Sequence, residues 1–188
     1  MIRTSLSHPL KIAELAVGEL GGAIGITFAP GKFQEVAMTG AWARDLESDM
    51  AAIRAWGTSH LLSLLEPWEF EDLKIPHLPS VATAHGLTWH GLPIRDGAAP
   101  DERFVAQWRV LGPLLDNALL AGQRLVVHCK GGLGRAGTVA CMLLLATKPT
   151  IDVDEIMSAV RTVRPGAIET LEQEGFLREW AQVLYANR

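Results

Sequence analysis

Apolar positions along this chain keep two rhythms, one of short unbroken runs and one of helical spacing. Ile12–Val17 and Ala23–Phe28 are short apolar runs separated by Gly21-Gly22, which predicts a hairpin-like pair of strands. From Asp45 to Trp56 the apolar residues Leu46, Met50, Ile53 and Trp56 recur at helical intervals, and Gly57 ends the pattern. Leu61–Leu65 reads as a fully buried strand, Val81–His85 as a short helix and Leu87–Pro93 as another strand. Asp101–Ala121 places Phe104, Val105, Trp108, Leu111, Leu115 and Leu119 on one side of a long helix, with a kink expected at Pro113. Arg124–His128 is a further buried strand, and helices are expected over Arg135–Ala146, Val153–Val163 and Leu171–Ala186.

Strands alternating with helices imply an α/β fold, with a mainly parallel central sheet flanked by helices. No segment reads as a linker or a repeat, so residues 1–188 are expected to form one domain. Composition adds exclusions to this picture. A content of 48% hydrophobic and 20% charged residues is that of an ordinary folded chain. The net charge of −4 argues against a nucleic-acid partner, while leaving room for one local anion pocket. Glu14 and Glu19 interrupt the first apolar stretch, so neither a signal peptide nor a membrane span is expected. Two cysteines cannot form a disulfide scaffold, which makes the reduced cytoplasm the expected compartment; a monomer is the expected state. The histidines at 8, 60, 77, 85 and 90 show no metal-ligand spacing, and Cys141 lies among apolar helix residues as a core cysteine.

The chemistry gathers in Leu125–Thr138. An apolar strand ends at Cys129, a loop with Gly131, Gly132 and Gly134 follows, and Arg135 opens an apolar helix. Glycines let successive amides of Lys130, Gly131, Gly132, Leu133 and Gly134 point at one centre as an anion nest. The helix adds the positive end of its dipole there, and Arg135 can return with a planar fork matched to two phosphate oxygens. A cysteine facing those donors would be favoured as the thiolate, placed for in-line attack and a cysteinyl-phosphate intermediate.

His128–Arg135 resembles the signature of the protein tyrosine and dual-specificity phosphatases. Within that family, Gly131–Arg135 is similar to the kinase-associated type that acts on cyclin-dependent kinases. The resemblance covers most of the chain, through Leu92–Gly97 upstream and Gly166–Gln173 downstream. It implies a dual-specificity phosphatase-like domain without metal or cofactor, acting on a phosphorylated protein at phosphotyrosine and, given a shallow pocket, at phosphoserine or phosphothreonine. It assigns the leaving-group acid to Asp96, although Asp96-Gly97 is also a favoured turn pair. Asp101 is the competing acid, and it doubles as a cap for the following helix. The resemblance gives His128 a supporting role in orienting the loop and keeping the thiol ionised. It gives Gln173 the water of the second step, but Thr170 and Gln173 also have the spacing of a capping box.

One departure stands out. The family carries a serine or threonine directly after the arginine, and here that residue is Ala136. Thr138 would point elsewhere around the helix, so a slowed second step and an accumulating phosphoenzyme are expected. Three other readings remain open. Lys130 fits a phosphoinositide or inositol phosphate phosphatase, but Leu133 stands where such enzymes carry a second lysine. Ala136 fits a pseudophosphatase that binds phosphoproteins without turnover. A rhodanese or arsenate-reductase type would also loop around an anion, but would not need Asp96, His128 and the Gln173 segment.

Overall fold

The computed structural model describes residues 2–37, 40–148 and 150–186. Its centre is a five-stranded sheet formed by β1 (Ala13–Val17), β2 (Gly22–Phe28), β5 (Thr58–Ser63), β6 (Thr88–Gly91) and β7 (Arg124–Cys129), in the order β1-β2-β7-β5-β6. β1 pairs antiparallel with β2, as the Gly21-Gly22 turn predicts, and the other pairings are parallel. A two-residue pair, β3 (Phe33–Gln34) and β4 (Trp42–Ala43), lies outside this sheet. The α/β expectation with a mainly parallel sheet therefore holds.

Side chains of the strands alternate between two cores, as the pleat requires. Leu125, Val127 and Cys129 of β7 face one apolar cluster, together with Ile24, Ile26, Leu62 and Leu64. That cluster is roofed by α4 (Glu102–Leu120), α5 (Gly134–Thr147), α6 (Val153–Val163) and α7 (Leu171–Ala186). Val126, Leu61 and Leu65 face the other cluster, against α1 (Leu46–Ala55), α2 (Pro67–Asp72) and α3 (Leu78–Ala84). With residues buried on both faces, β7 reads as a continuous apolar run rather than an alternating one.

Several boundaries differ from the expectation. The strand expected at Leu61–Leu65 runs instead over Thr58–Ser63, where Thr58 pairs with Arg124 ahead of an irregularity between Thr58 and His60. The short helix starts at Leu78 rather than Val81. α4 runs as one element through Pro113, which is exposed, as is Arg109, whose carbonyl the proline leaves without a donor. α2, β3 and β4 were not expected at all.

The segment before α1 is anchored by one buried ion pair. Arg44 Nε and Nη2 lie 2.7 and 2.8 Å from the two oxygens of Asp49, with both side chains at 2% exposure or less. Asp49 Oδ2 also accepts the Gly31 amide at 2.9 Å, which fixes the turn leading into Lys32. Removing one partner leaves the other charge buried and unpaired. Asp49→Ala is therefore expected to lower the unfolding free energy by about 3–5 kcal/mol, read from the urea midpoint. A loss below about 1 kcal/mol, the level of a surface pair, would contradict this account.

Candidate active site

Cys129 is the last residue of β7, opposite Phe28 of β2, and is 3% exposed. Beyond it the chain turns sharply through Gly132, whose φ of +69° belongs to the left-handed region. A Cβ on Gly132 would also come within 2.4 Å of the Thr27 carbonyl, so no other residue fits. The turn brings the Gly132 amide to Cys129 Sγ, to which it donates at 3.2 Å. α5 begins at Gly134, directly after this turn. The loop carbonyls are bound from behind. Lys32 Nζ donates to Lys130 O at 3.2 Å, while Arg164 donates through Nε to Gly132 O at 2.9 Å and through Nη2 to Gly131 O at 3.0 Å.

Arg135 is 1% exposed. Its Nη1 lies 2.6 Å from Glu69 Oε2 and 3.0 Å from Ile94 O, and its Nη2 lies 3.0 Å from Glu69 Oε1. Nη2 is also 3.0 Å from Asp96 Oδ1, while Nε is buried with no hydrogen-bond partner in the protein. Burial works against the guanidinium's charge, but the Glu69 hydrogen bonds, followed by the charges of Cys129, Glu69 and Asp96, hold its pKa above the ordinary value. A fixed, charged fork with one unused buried N–H is suited to receive an oxyanion.

Asp96 sits in the turn before Gly97, with its side chain 65% exposed. The structure therefore brings Asp96 to Arg135. Asp101 instead caps α4, accepting the Phe104 amide at 3.0 Å, and that hydrogen bond holds its carboxyl below the usual range. Lys130 pairs with Asp72 at 3.3 Å on the rim, an exposed contact of small energetic weight.

His128 is fully buried, and its Nε2 lies 2.5 Å from Ser63 Oγ, which also accepts from Trp89 Nε1 at 2.8 Å. Burial, with the charge of Arg135 adding to it, pushes His128 down to about 3. The ring beside Cys129 is thus neutral near neutral pH. Cys141 is buried in α5, and desolvation pushes its thiol up, as for an inert core cysteine.

Gln173 is buried and engaged at both ends of its amide. Oε1 accepts from Glu169 N at 2.8 Å and Thr170 N at 3.3 Å, and Nε2 donates to Ala98 O at 3.1 Å in the Asp96 loop. Gln173 N donates to Thr170 Oγ1 at 3.2 Å, so the capping box is formed. Beside it Glu169 reaches the Cys129–Arg135 loop, with Oε2 accepting the Gly134 amide at 2.7 Å. That amide, expected in the anion nest, is taken by a carboxylate of the chain itself. The placement follows from Ile168, a β-branched residue at φ +59°, a conformation that costs on the order of 1–3 kcal/mol. Arg161 holds it there, donating from Nη2 to Ile168 O at 2.9 Å and from Nε to Ala167 O at 3.1 Å.

Glu69, Ser63, Trp89, Lys32, Arg164 and Glu169 were not singled out by sequence reasoning. Lys32 lies 98 positions from its loop partner and Glu69 lies 66 from Arg135, separations that leave no local signal.

Residues 36–177 match the family model described as PTP-SAK, the Swiss Army Knife protein DSP-PTPase phosphatase domain. Cyclin-dependent kinase inhibitor 3 of Sus scrofa is 28% identical over 183 residues, covering 95% of this chain and 82% of that protein. Tyrosine-protein phosphatase non-receptor type 2 of Rattus norvegicus is 27% identical over 128 residues, 66% of this chain and 28% of that protein. The crystal structure of kinase associated phosphatase, with its catalytic-site cysteine changed to serine, superposes with a TM-score of 0.81 at 25% identity, covering 96% of this chain and 98% of that one. The resemblance drawn from His128–Arg135 is thereby borne out.

The neutral burial of His128 has a consequence for stability. An unfolded histidine takes up a proton below about 6.5, whereas His128 in the native state refuses it down to about 3. Its contribution to stability is therefore complete above the unfolded value and is lost as the pH falls through that window, by at most about 1.4 kcal/mol per pH unit. His128→Asn is expected to flatten the pH dependence of the urea midpoint between about pH 6 and 4. An unchanged slope would mean that other groups carry it.

Proposed function

The chain belongs to the DSP-PTPase phosphatase domain family, whose members are cysteine-dependent phosphatases, and from that premise we propose that it hydrolyses phosphoproteins at phosphotyrosine, with phosphoserine and phosphothreonine open to the same site. Cys129 Sγ attacks phosphorus as the thiolate, the bond to the leaving oxygen breaks, and Asp96 delivers its proton to that oxygen. Arg135 and the loop amides carry the charge of the equatorial oxygens through the transition state. Water then attacks phosphorus, the S–P bond breaks, the thiolate leaves, and the water's proton returns to Asp96. His128 supports the loop from behind as a neutral ring.

The observation that carries this reading is Arg135 Nη2, which lies 3.0 Å from both Glu69 Oε1 and Asp96 Oδ1. One guanidinium fixed by a buried carboxylate thus gathers the acid to the loop of the nucleophile. A phosphoprotein segment is the partner this site calls for, and apart from the attacking water each step uses the chain's own groups.

The test is p-nitrophenyl phosphate hydrolysis without added metal. Wild type is expected to turn over and Cys129→Ser to be inactive. Asp96→Asn should lower kcat on a phosphotyrosine peptide by about 10²–10⁴-fold, and less on the better nitrophenolate leaving group. Folded wild type that binds vanadate but hydrolyses nothing would instead favour a phosphoprotein-binding module. Rapid-quench kinetics should also show a burst of nitrophenol, because Ala136 supplies no hydroxyl to the departing thiolate. Ala136→Ser should remove the burst, and its absence from wild type would sink the slowed second step.

A further inference from the structure

The segment between α6 and α7 holds on to the Asp96 loop and the Cys129 loop from one fixed backbone. Thr170 Oγ1 donates to Gly97 O at 3.3 Å, and Gln173 Nε2 donates to Ala98 O at 3.1 Å. Glu172 Oε1 accepts the Ala99 amide at 3.2 Å. Arg161 anchors the same segment through the Ala167 and Ile168 carbonyls, at 3.1 and 2.9 Å. The backbone of Glu169 is therefore stationary, while the residue itself is exposed. Its side chain can swing into water without disturbing the core.

An exposed glutamate ordinarily stays in water, and this one does not. Its Oε2 lies 2.7 Å from the Gly134 amide and fills the space that a Cβ on Gly134 would need, 2.5 Å from that position. Among the described residues Glu169 forms no ion pair, and Arg161 beside it is taken by Glu174 at 2.6 Å. What draws the carboxylate is thus the open amide at the start of α5. That helix has no side-chain cap at Leu133 and no acidic residue in its first turn, so the end of its dipole is left to an anion from elsewhere. In the resting protein that anion is Glu169.

We propose that Glu169 is an internal competitor of the phosphoryl group, a carboxylate that occupies the Gly134 amide and sets the affinity a phosphate monoester must exceed to enter. The inference rests on the phosphatase reading of the Cys129 loop. Exchange breaks no covalent bond, because one charge-assisted N–H···O contact replaces another. Displacing Glu169 costs the same for every oxyanion. A phosphopeptide offsets that cost with contacts made by the segment carrying its phosphoryl group, and inorganic phosphate brings none. Return of Glu169 to the amide then favours release of the phosphate left by the second step.

The test measures the Ki of inorganic phosphate and kcat/KM for p-nitrophenyl phosphate in wild type, Glu169→Gln and Glu169→Ala. Because kcat/KM compares free enzyme with the first transition state, a slowed second step does not enter it. Both variants are expected to lower Ki by about tenfold, the weight of one charge-assisted contact, and to raise kcat/KM. Arg161→Met, which frees the turn but keeps Glu169, should move Ki in the same direction and serves if the variants at 169 do not fold. A glutamate that merely capped α5 would lower the urea midpoint when removed and leave Ki unchanged or higher, which would overturn the competitor. Absence of turnover in folded wild type would overturn the phosphatase reading alone. Calorimetry of inorganic phosphate binding to Cys129→Ser, with and without Glu169→Gln, then decides the competitor. Binding about tenfold tighter in the double variant supports it, and equal or weaker binding overturns it.

Discussion

A guanidinium taken out of water must find acceptors for its donors or destabilise the fold, and Arg135 at 1% exposure is the point around which this chain is arranged. Glu69 from α2, the Ile94 carbonyl from the segment after β6 and Asp96 from the following turn all meet it. Two separate stretches, α2 and the segment Ile94–Asp96, are thereby tied to the first turn of α5. The pair with Glu69 is buried on both sides, so losing either partner would strand a charge, a change that costs about 3–5 kcal/mol in comparable cases. The same contacts that hold the fold together leave Nε as the one donor without a protein acceptor. Structural necessity and anion recognition are served by one side chain.

The Cys129–Arg135 loop is polarised by a related division. Its carbonyls point outward onto Lys32 and Arg164, and this turns amides such as that of Gly132 inward to Cys129. Outward cations and inward N–H dipoles act in the same direction on a thiolate or a phosphate. Because the cations are attached to the back of the loop, they supply field without occupying the front, where a transferring group must sit. His128 completes this by remaining neutral beneath the loop, held through Ser63 rather than adding charge of its own.

What the sequence discloses is what is local. Cys129, the loop glycines and Arg135 are a strand end, a turn and a helix start within a few residues, so their spacing alone suggests the nest. The two-sided burial of β7 and the helical faces of α4 to α7 are likewise periodic and readable. α2 is six residues long, too short for a period, and its capping box of Glu66 and Glu69 reads as ordinary surface charge. Yet Glu69 is what holds Arg135. β3 and β4 are two residues each, too short for a period, and arise from pairing with each other rather than from propensity. The positive φ of Ile168, which carries Glu169 to Gly134, contradicts local preference and is imposed by Arg161. Asp96 was reached through the resemblance, since Asp-Gly by itself signals only a turn.

In the proposed mechanism, the second step is where this chain departs most from the family pattern. Ala136 brings no hydroxyl, and Thr138 cannot replace one, because its Oγ1 is bonded back to Gly134 O at 2.8 Å along the helix. Gln173 cannot turn toward water without giving up Ala98 O and the Thr170 cap. The group that does reach the loop is Glu169, whose carboxylate is held at the Gly134 amide at the positive end of α5. An incoming phosphoryl group that uses this amide must displace a carboxylate of like charge, which weakens ground-state binding. A loop that lacks the hydroxyl for its leaving thiolate thus keeps two carboxylates at its rim, one fixed by Arg135 and one by the strained turn at Ile168.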